Sequence, residues 1–312
     1  MARGVAPGKV ILLGEHAVVY GRPALAIPVR QLQAEVEVVA GPVDGPADVH
    51  LIAADIGLNE WLSRLPDHHP LARITRLTLQ ELGHGAATSL EVRVRSSVPI
   101  AGGLGSGAAV SVATIRALAA FFGRAIDLER QSALAYEVEK IHHGNPSGID
   151  NSVVVYDQPV YFRRGEPPQP FRMGGPLHLV IADSGAAAPT AQAVSQVASR
   201  LRAHPLETEA LFDRIGEIVE NARPLLEGEA GEPLGYLMND NQTLLASLGV
   251  STPALERIAS SARTAGAWGA KLSGAGLGGN VVALVAPESS AAVAHAMTGA
   301  GALRTIQTEV DP

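Results

Sequence analysis

Pro99-Ile-Ala-Gly-Gly-Leu-Gly-Ser-Gly-Ala-Ala-Val-Ser-Val-Ala113 is a glycine-rich turn with no basic residue in it. The alternating Leu90-Glu-Val-Arg-Val-Arg95 before it reads as an amphipathic strand. The Ala/Val/Leu-rich stretch at 108–122 after it reads as a buried helix. A glycine turn that opens a helix lays free backbone N–H groups against phosphate oxygens, and the helix dipole favours the negative charge. Such glycines also serve tight strand-to-helix geometry with no ligand, and for Gly102 to Gly107 alone both readings stand. No Gly-Lys-Ser/Thr follows, so this is not a Walker loop. Gly103, Gly105 and Ala108 give a degenerate G-x-G-x-x-A, a weak dinucleotide signal without the acidic ribose partner expected about 20 residues on.

The chain of 312 residues is long enough for two domains of about 150 residues each. A hydrophobic fraction of 46% supplies a sizeable core, and 18% charged residues argues against disorder. The net charge of −7 disfavours nucleic acid or a membrane surface as partner, though a small anion needs only a local positive field. With no cysteine there is no disulfide, thiol nucleophile or cysteine metal site. No run approaches the ~20 apolar residues of a membrane span. Val10-Ile-Leu-Leu13 is too short for a signal peptide and is soon followed by Glu15, so a cytoplasmic location is expected. Basic residues are nearly all arginine; the three lysines, Lys9, Lys140 and Lys271, each sit in or beside a motif. A lysine supplies a compact point charge where a planar guanidinium does not fit.

Ala6-Pro-Gly-Lys-Val-Ile-Leu-Leu-Gly-Glu-His16 reads as a turn, a short buried strand and a second turn. Ala34-Glu-Val-Glu-Val-Val39 alternates as a strand, 40–48 is loop, and 56–83 carries helical patterning with a break at 66–70. Gln131 to Ile141 reads as a helix, followed by the turn-rich His142-His-Gly-Asn-Pro-Ser-Gly-Ile-Asp-Asn151 and a strand-like Val153 to Phe162. Arg163 to Phe171 is the best linker candidate. Beyond it lie a strand at 177–182, three or four helices over 190–265, a second glycine loop leading into the strand Val281-Val-Ala-Leu-Val285, a helix near 288–299 and a strand near 303–310. Segregated strands and helices argue an α+β fold in two domains, 1–165 and 172–312.

Asp150, beside Pro146 and Gly148 in a constrained loop, reads either as a general base toward a substrate hydroxyl or as an Asx-turn residue. Glu137 and Glu139 on the preceding helix read either as magnesium ligands or as a solvated face. Lys9, Glu15 and His16 form a polar set after an apolar run; His16 reads as a ligand to a carboxylate or hydroxyl, or as a core histidine. The adjacent His142 and His143 lack the i, i+4 spacing of a zinc pair. Gly274, Gly276 and Gly279 satisfy G-x-G-x-x-G, but they lead into a strand rather than opening a helix.

Together, Pro7-Gly-Lys-Val-Ile-Leu-Leu-Gly-Glu-His-Ala-Val-Val-Tyr-Gly21, Pro99-Ile-Ala-Gly-Gly-Leu-Gly-Ser-Gly-Ala-Ala109 and Lys271-Leu-Ser-Gly-Ala-Gly-Leu-Gly-Gly279 resemble, in order and separation, the three motifs of the galactokinase, homoserine kinase, mevalonate kinase and phosphomevalonate kinase (GHMP) superfamily. The first run and His143-Gly-Asn-Pro-Ser-Gly-Ile-Asp-Asn151 are most similar to the mevalonate kinases. The resemblance implies an α+β fold with an N-terminal ribosomal-protein-S5-like domain, a C-terminal ferredoxin-like domain and the active site between them. It implies ATP-dependent phosphorylation of the C5 hydroxyl of mevalonate in isoprenoid synthesis, with Mg²⁺ as cofactor. Residue by residue, it implies Asp150 and Lys9 as catalytic groups and Glu139 with Ser106 at the metal. Gly102, Gly103, Leu104, Gly105, Ser106, Gly107 and Ala108 would form the phosphate loop, and Glu15, His16, Ser147, Gly274 and Ala275 the substrate side. The alternatives are a phosphomevalonate kinase, a diphosphomevalonate decarboxylase or a non-catalytic nucleotide-binding protein. Family members are often dimers. The chain departs from the family pattern at Gly107, where a second serine is usual, at Leu277 and Asn280, where glycine and a small residue or cysteine are usual, and at Ala191, where a lysine is common.

Overall fold

The computed structural model describes residues 1–311 except 43, 86–87, 101, 144–145 and 187–189; the side chains of His142 and His143, and with them the zinc reading, also lie outside the described residues. The chain forms two compact units, Met1–Gly8 with Arg30–Ile100 and Gly105–Asp157, and Lys9–Val29 with Ala101–Leu104 and Gln158–Pro312. The sequence places the division at 165–172. The fold places it at 157–158 and assigns two early segments to the second unit, for reasons visible in that unit's contacts.

In the first unit, β1 (Ala2–Leu13) and the long β2 (Ala24–Ala40) contribute their outer portions. β3 (Val49–Ala53), β4 (Leu58–Trp61), α1 (Pro70–Glu81) and β5 (Leu90–Ser96) follow. Residues 34–40 of β2 pair antiparallel with β5, β3 pairs parallel with β5, and β4 pairs antiparallel with β3. Ala34, Val36 and Val38 on β2 and Leu90, Val92 and Val94 on β5 are buried, as period-2 alternation requires of a sheet covered on one face. α2 (Ser106–Phe121), α3 (Leu128–His143) and α4 (Ile149–Tyr156) complete the unit and pack against one another. α2 is apolar nearly all round, with Ala108, Ala109, Val112, Ile115 and Leu118 buried. Val153-Val154-Val155 lies inside α4, where the sequence reads as strand; the strand begins only at Val160. The left-handed Gly148 (φ 96°) turns the chain into the helix, and tertiary contacts outweigh the β preference of the valines.

The second unit holds β6 (Val160–Phe162), which pairs with residues 24–26 of β2 and with β7 (Gln169–Pro170), so the proposed linker is partly sheet. Its main sheet is built from β8 (Leu177–Asp183), β9 (Gly269–Ser273), β10 (Asn280–Val285) and β11 (Arg304–Val310), all antiparallel, in the order β11-β8-β10-β9. With α5 (Thr190–Ala203), α6 (Pro205–Glu227), α7 (Gly231–Ser247) and α8 (Pro253–Thr264) in the first crossover and α9 (Ser290–Gly299) in the second, this is the ferredoxin-like arrangement. Residues 9–29 belong here because α6 grips them. Tyr20 stacks on Phe212 at 4.5 Å, and Arg22 pairs with Glu209 and, at 2.8 Å, with Asp213. Among the described residues no helix is long and apolar enough to cross a membrane.

Gly4 on β1 permits close approach to α2, since an added Cβ would collide with the Ala113 carbonyl and the Ala117 amide. Gly4→Ala is therefore expected to lower stability by about 1–3 kcal/mol in urea denaturation.

Candidate active site

In the second unit the first sequence motif and the glycine loop of the third motif are bonded into one cluster. The Lys9 amide on β1 donates to the Leu104 carbonyl at 2.9 Å, and Lys9 itself is buried. The loop from β9 to β10 carries Gly274 and Ala275. Ser273 Oγ donates to the Ile11 carbonyl at 3.0 Å, and Asn280 Nδ2 donates to the Gly102 carbonyl. A Cβ on Gly274 would stand 3.7 Å from Gly103 Cα, so backbone lies against backbone where these glycines meet. Within that cluster, Asn280 gives the glycine turn a hydrogen-bond donor that the usual small residue could not. Leu277, at the family's usual glycine, adopts a left-handed φ of 60°.

His16 sits at φ 62°, ψ −51°, and the Ala17 amide donates across it to the Glu15 carbonyl at 2.7 Å. This is a γ-turn in its strained positive-φ form, a geometry concentrated at functional sites. His16 Nε2 lies 2.8 Å from the Ala275 carbonyl, which can only accept, so Nε2 carries the proton. Burial, and to a lesser extent the Lys271 charge, push the imidazole below its ordinary value against the opposing pull of that carbonyl. The neutral ring then leaves Nδ1 as an acceptor.

Glu15 is 1% exposed and forms an ion pair with Lys271, which is fully buried on β9. Lys271 Nζ also donates to the Leu272 carbonyl at 2.5 Å, and Asn241 Nδ2 on α7 donates to the second Glu15 oxygen at 3.3 Å. Burial lowers the Lys271 pKa, and Glu15 opposes that shift. Asn241 Oδ1 is buried without a partner. Lys271 is the group to which sequence reasoning gave no role; its signal was a lysine kept in an arginine-rich chain. Lys140 carried the same signal, but it spends its charge on Glu137 at 2.5 Å on the half-exposed face of α3.

The first unit gathers the remaining candidates on three packed helices. Gly105 (φ 76°) turns the chain into α2, and no side chain caps the helix at Ser106, Gly107 and Ala108. Uncapped amides at a helix N-terminus are an anion cradle. Glu139 on α3 is buried, whereas Glu137 is half-exposed and paired with Lys140, so the solvated-face reading fits Glu137 and not Glu139. Asp150 stands in the first turn of α4, the favourable end of the dipole for a carboxylate, with Ser147 just before it. Among the described residues no three His, Cys, Asp or Glu side chains cluster as a metal cage. The residues suit a magnesium ion that keeps its waters and takes one protein carboxylate together with phosphate oxygens.

Two predictions follow from the buried pair and the neutral histidine. Lys271→Met is expected to cost about 3–5 kcal/mol by stranding Glu15, and the Glu15→Gln/Lys271→Met double variant to recover most of that in denaturant titrations. Singles that simply add would show the pair is uncoupled. His16 has a folded pKa below 6.5. Its contribution to stability is complete above pH 6.5 and is lost as pH falls through that value toward the folded pKa, because the unfolded chain binds the proton first. The difference in pH slope between wild type and His16→Asn separates it from His69, which burial also lowers.

Residues 70–158 match the family described as GHMP kinases N terminal domain, and residues 222–302 match GHMP kinases C terminal. The Mevalonate kinase of Pyrococcus horikoshii is 35% identical over 96% of this chain and 93% of its own length. That of Methanothermobacter thermautotrophicus is 37% identical over 89% of this chain and 88% of its own. The crystal structure of L. major mevalonate kinase in complex with R-mevalonate superposes with a TM-score of 0.86 at 28% identity, covering 100% of this chain and 96% of that one. By motif order, fold and chain-long similarity, this chain belongs to the mevalonate kinase family of the GHMP kinases.

Proposed function

We propose that this chain transfers the γ-phosphoryl group of ATP to the C5 hydroxyl of mevalonate, with magnesium, as a cytoplasmic enzyme of isoprenoid synthesis. The observation that carries the reading is the match of nearly the whole chain to relatives named Mevalonate kinase.

Phosphoryl transfer asks the protein for positioning and charge stabilisation more than for covalent chemistry. In this reading the glycine turn, Gly102, Gly103, Leu104 and Gly105, and the α2 N-terminus with Ser106, Gly107 and Ala108 hold the phosphates. Glu139 and Ser106 hold the metal, which when bound neutralises the phosphate oxygens. Lys9 stabilises the developing alkoxide and the transferring phosphoryl group. Asp150 accepts the hydroxyl proton or orients the hydroxyl. His16, presenting Nδ1 as an acceptor, takes a hydrogen bond from a substrate hydroxyl, and Ser147, Gly274 and Ala275 complete the substrate side. Glu15, held by Lys271 and Asn241, stands on the substrate side next to His16 and fixes the His16 turn as well.

The test is ADP release with ATP, Mg²⁺ and mevalonate against phosphomevalonate and a no-substrate control, with the product's phosphorus position read by NMR. Mevalonate-dependent turnover giving the 5-phosphate is expected; turnover on phosphomevalonate alone would overturn the substrate. Asp150→Asn is expected to lower kcat by roughly 10²–10⁴-fold with ATP affinity kept. Gly107→Ser, which restores the usual hydroxyl, is expected to reduce several-fold the Mg²⁺ concentration needed for half-maximal rate.

A further inference from the structure

Arg116 projects from the third turn of α2 and is partly buried, and among the described residues its guanidinium hydrogen-bonds no carboxylate. Its guanidinium instead joins four elements of the first unit. Nη1 donates to the Val5 carbonyl on β1 at 2.8 Å, Nη2 to the Val155 carbonyl on α4 at 2.8 Å, and Nε to Gln131 Oε1 on α3 at 3.3 Å. Gln131 is itself fixed by donating to the Ile126 carbonyl at 2.8 Å. Three of the four elements so joined are the helices that carry Ser106, Glu139 and Asp150.

α4 has only eight residues, too few to be stable by itself. At its N-terminal end the Ile149 amide donates to Ser147 Oγ at 3.3 Å, and Asn151 anchors the first turn to α3 by donating to Ser132 Oγ at 2.7 Å. At its C-terminal end Arg116 takes the penultimate carbonyl, and Arg30 donates to the Asp157 carbonyl at 2.6 Å and to Asp157 Oδ1 at 2.9 Å. Cations that bond the last carbonyls of a helix satisfy orphan acceptors and complement its dipole. Arg30 lies on the exposed surface, where water competes; Arg116 is the more buried of the two and the one that reaches the other helices.

We propose that Arg116 is a positioning residue for Asp150, fixing α4 against α2 and α3 so that the carboxylate is held where the reaction needs it. The proposal rests on the role given to Asp150 above. A lysine cannot replace the planar fork, because one ammonium does not reach three acceptors set in different directions.

The test uses Arg116→Met and Arg116→Lys in the full chain. It reads amide hydrogen exchange of Ile149–Tyr156 by mass spectrometry alongside kcat and both KM values, with Asp150→Asn as control. The expected result is exchange in α4 faster by on the order of tenfold or more while β8 and β10 stay protected. kcat per folded molecule should fall by on the order of ten- to a hundredfold, with the KM for ATP and for mevalonate within about twofold. Arg116→Lys serves where Arg116→Met does not fold, and its losses should lie in the same direction. Unchanged α4 exchange, or a wild-type kcat despite faster exchange, overturns the positioning role when Asp150→Asn is inactive. An active Asp150→Asn instead overturns the reading on which the proposal rests.

Discussion

The second unit depends on an ammonium group that water does not reach. Lys271 is fully buried, and its charge is tolerable because Glu15, 256 residues away in sequence, is buried against it. Such a pair adds little net stability over an apolar contact of the same shape, but losing one partner strands the other. Its value lies in specification. Glu15 has one low-energy place to be, and Gly14 and His16 are adjacent to it. The γ-turn at His16 is strained, and strain persists only where the surroundings over-determine the backbone. Lys271, Asn241 and the Ala275 carbonyl are those surroundings.

The first unit solves a different problem with neutral acceptors. Its candidate groups stand on helix N-termini or on a buried helix face, and all three helices must keep their relative positions within ångströms for the chemistry to work. α2 achieves this by being apolar on nearly every side and by meeting β1 at Gly4, so it has no freedom to rotate. α4 is too short for such packing and relies on polar anchors at both ends. The two units therefore fix their candidate residues by opposite means: a buried ion pair in one, a guanidinium shared among neutral helix and strand acceptors in the other.

What was legible in the sequence is what glycine and periodicity encode locally. The turn at Gly102–Gly107, the loop at Gly274–Gly279 and the alternating 90–95 strand announce themselves because left-handed backbone and period-2 burial constrain residue type directly. α4 was misread because three consecutive valines favour a strand locally, and the features that override them are an anchor on α3 and two arginines remote in sequence. The Glu15–Lys271 pair was invisible for the same reason. A carboxylate beside a histidine gives no sign of a partner 256 residues further along the chain. Residues 9–29 were placed with the N-terminal half because sequence order is the default; the stacking of Tyr20 on Phe212 and the Arg22 pairs assign them elsewhere.

The departures from the family pattern have a common logic. Asn280 is larger than the residue it replaces and gives its amide to the Gly102 carbonyl, tightening the start of the glycine turn. Leu277 keeps the left-handed backbone that a glycine would adopt without strain, held by its own amide donating to the Val250 carbonyl at 2.8 Å. The loop from β9 to β10 is thus held at both of its unusual positions. Gly107 moves the other way, removing a hydroxyl and a helix-favouring side chain from the first turn of α2.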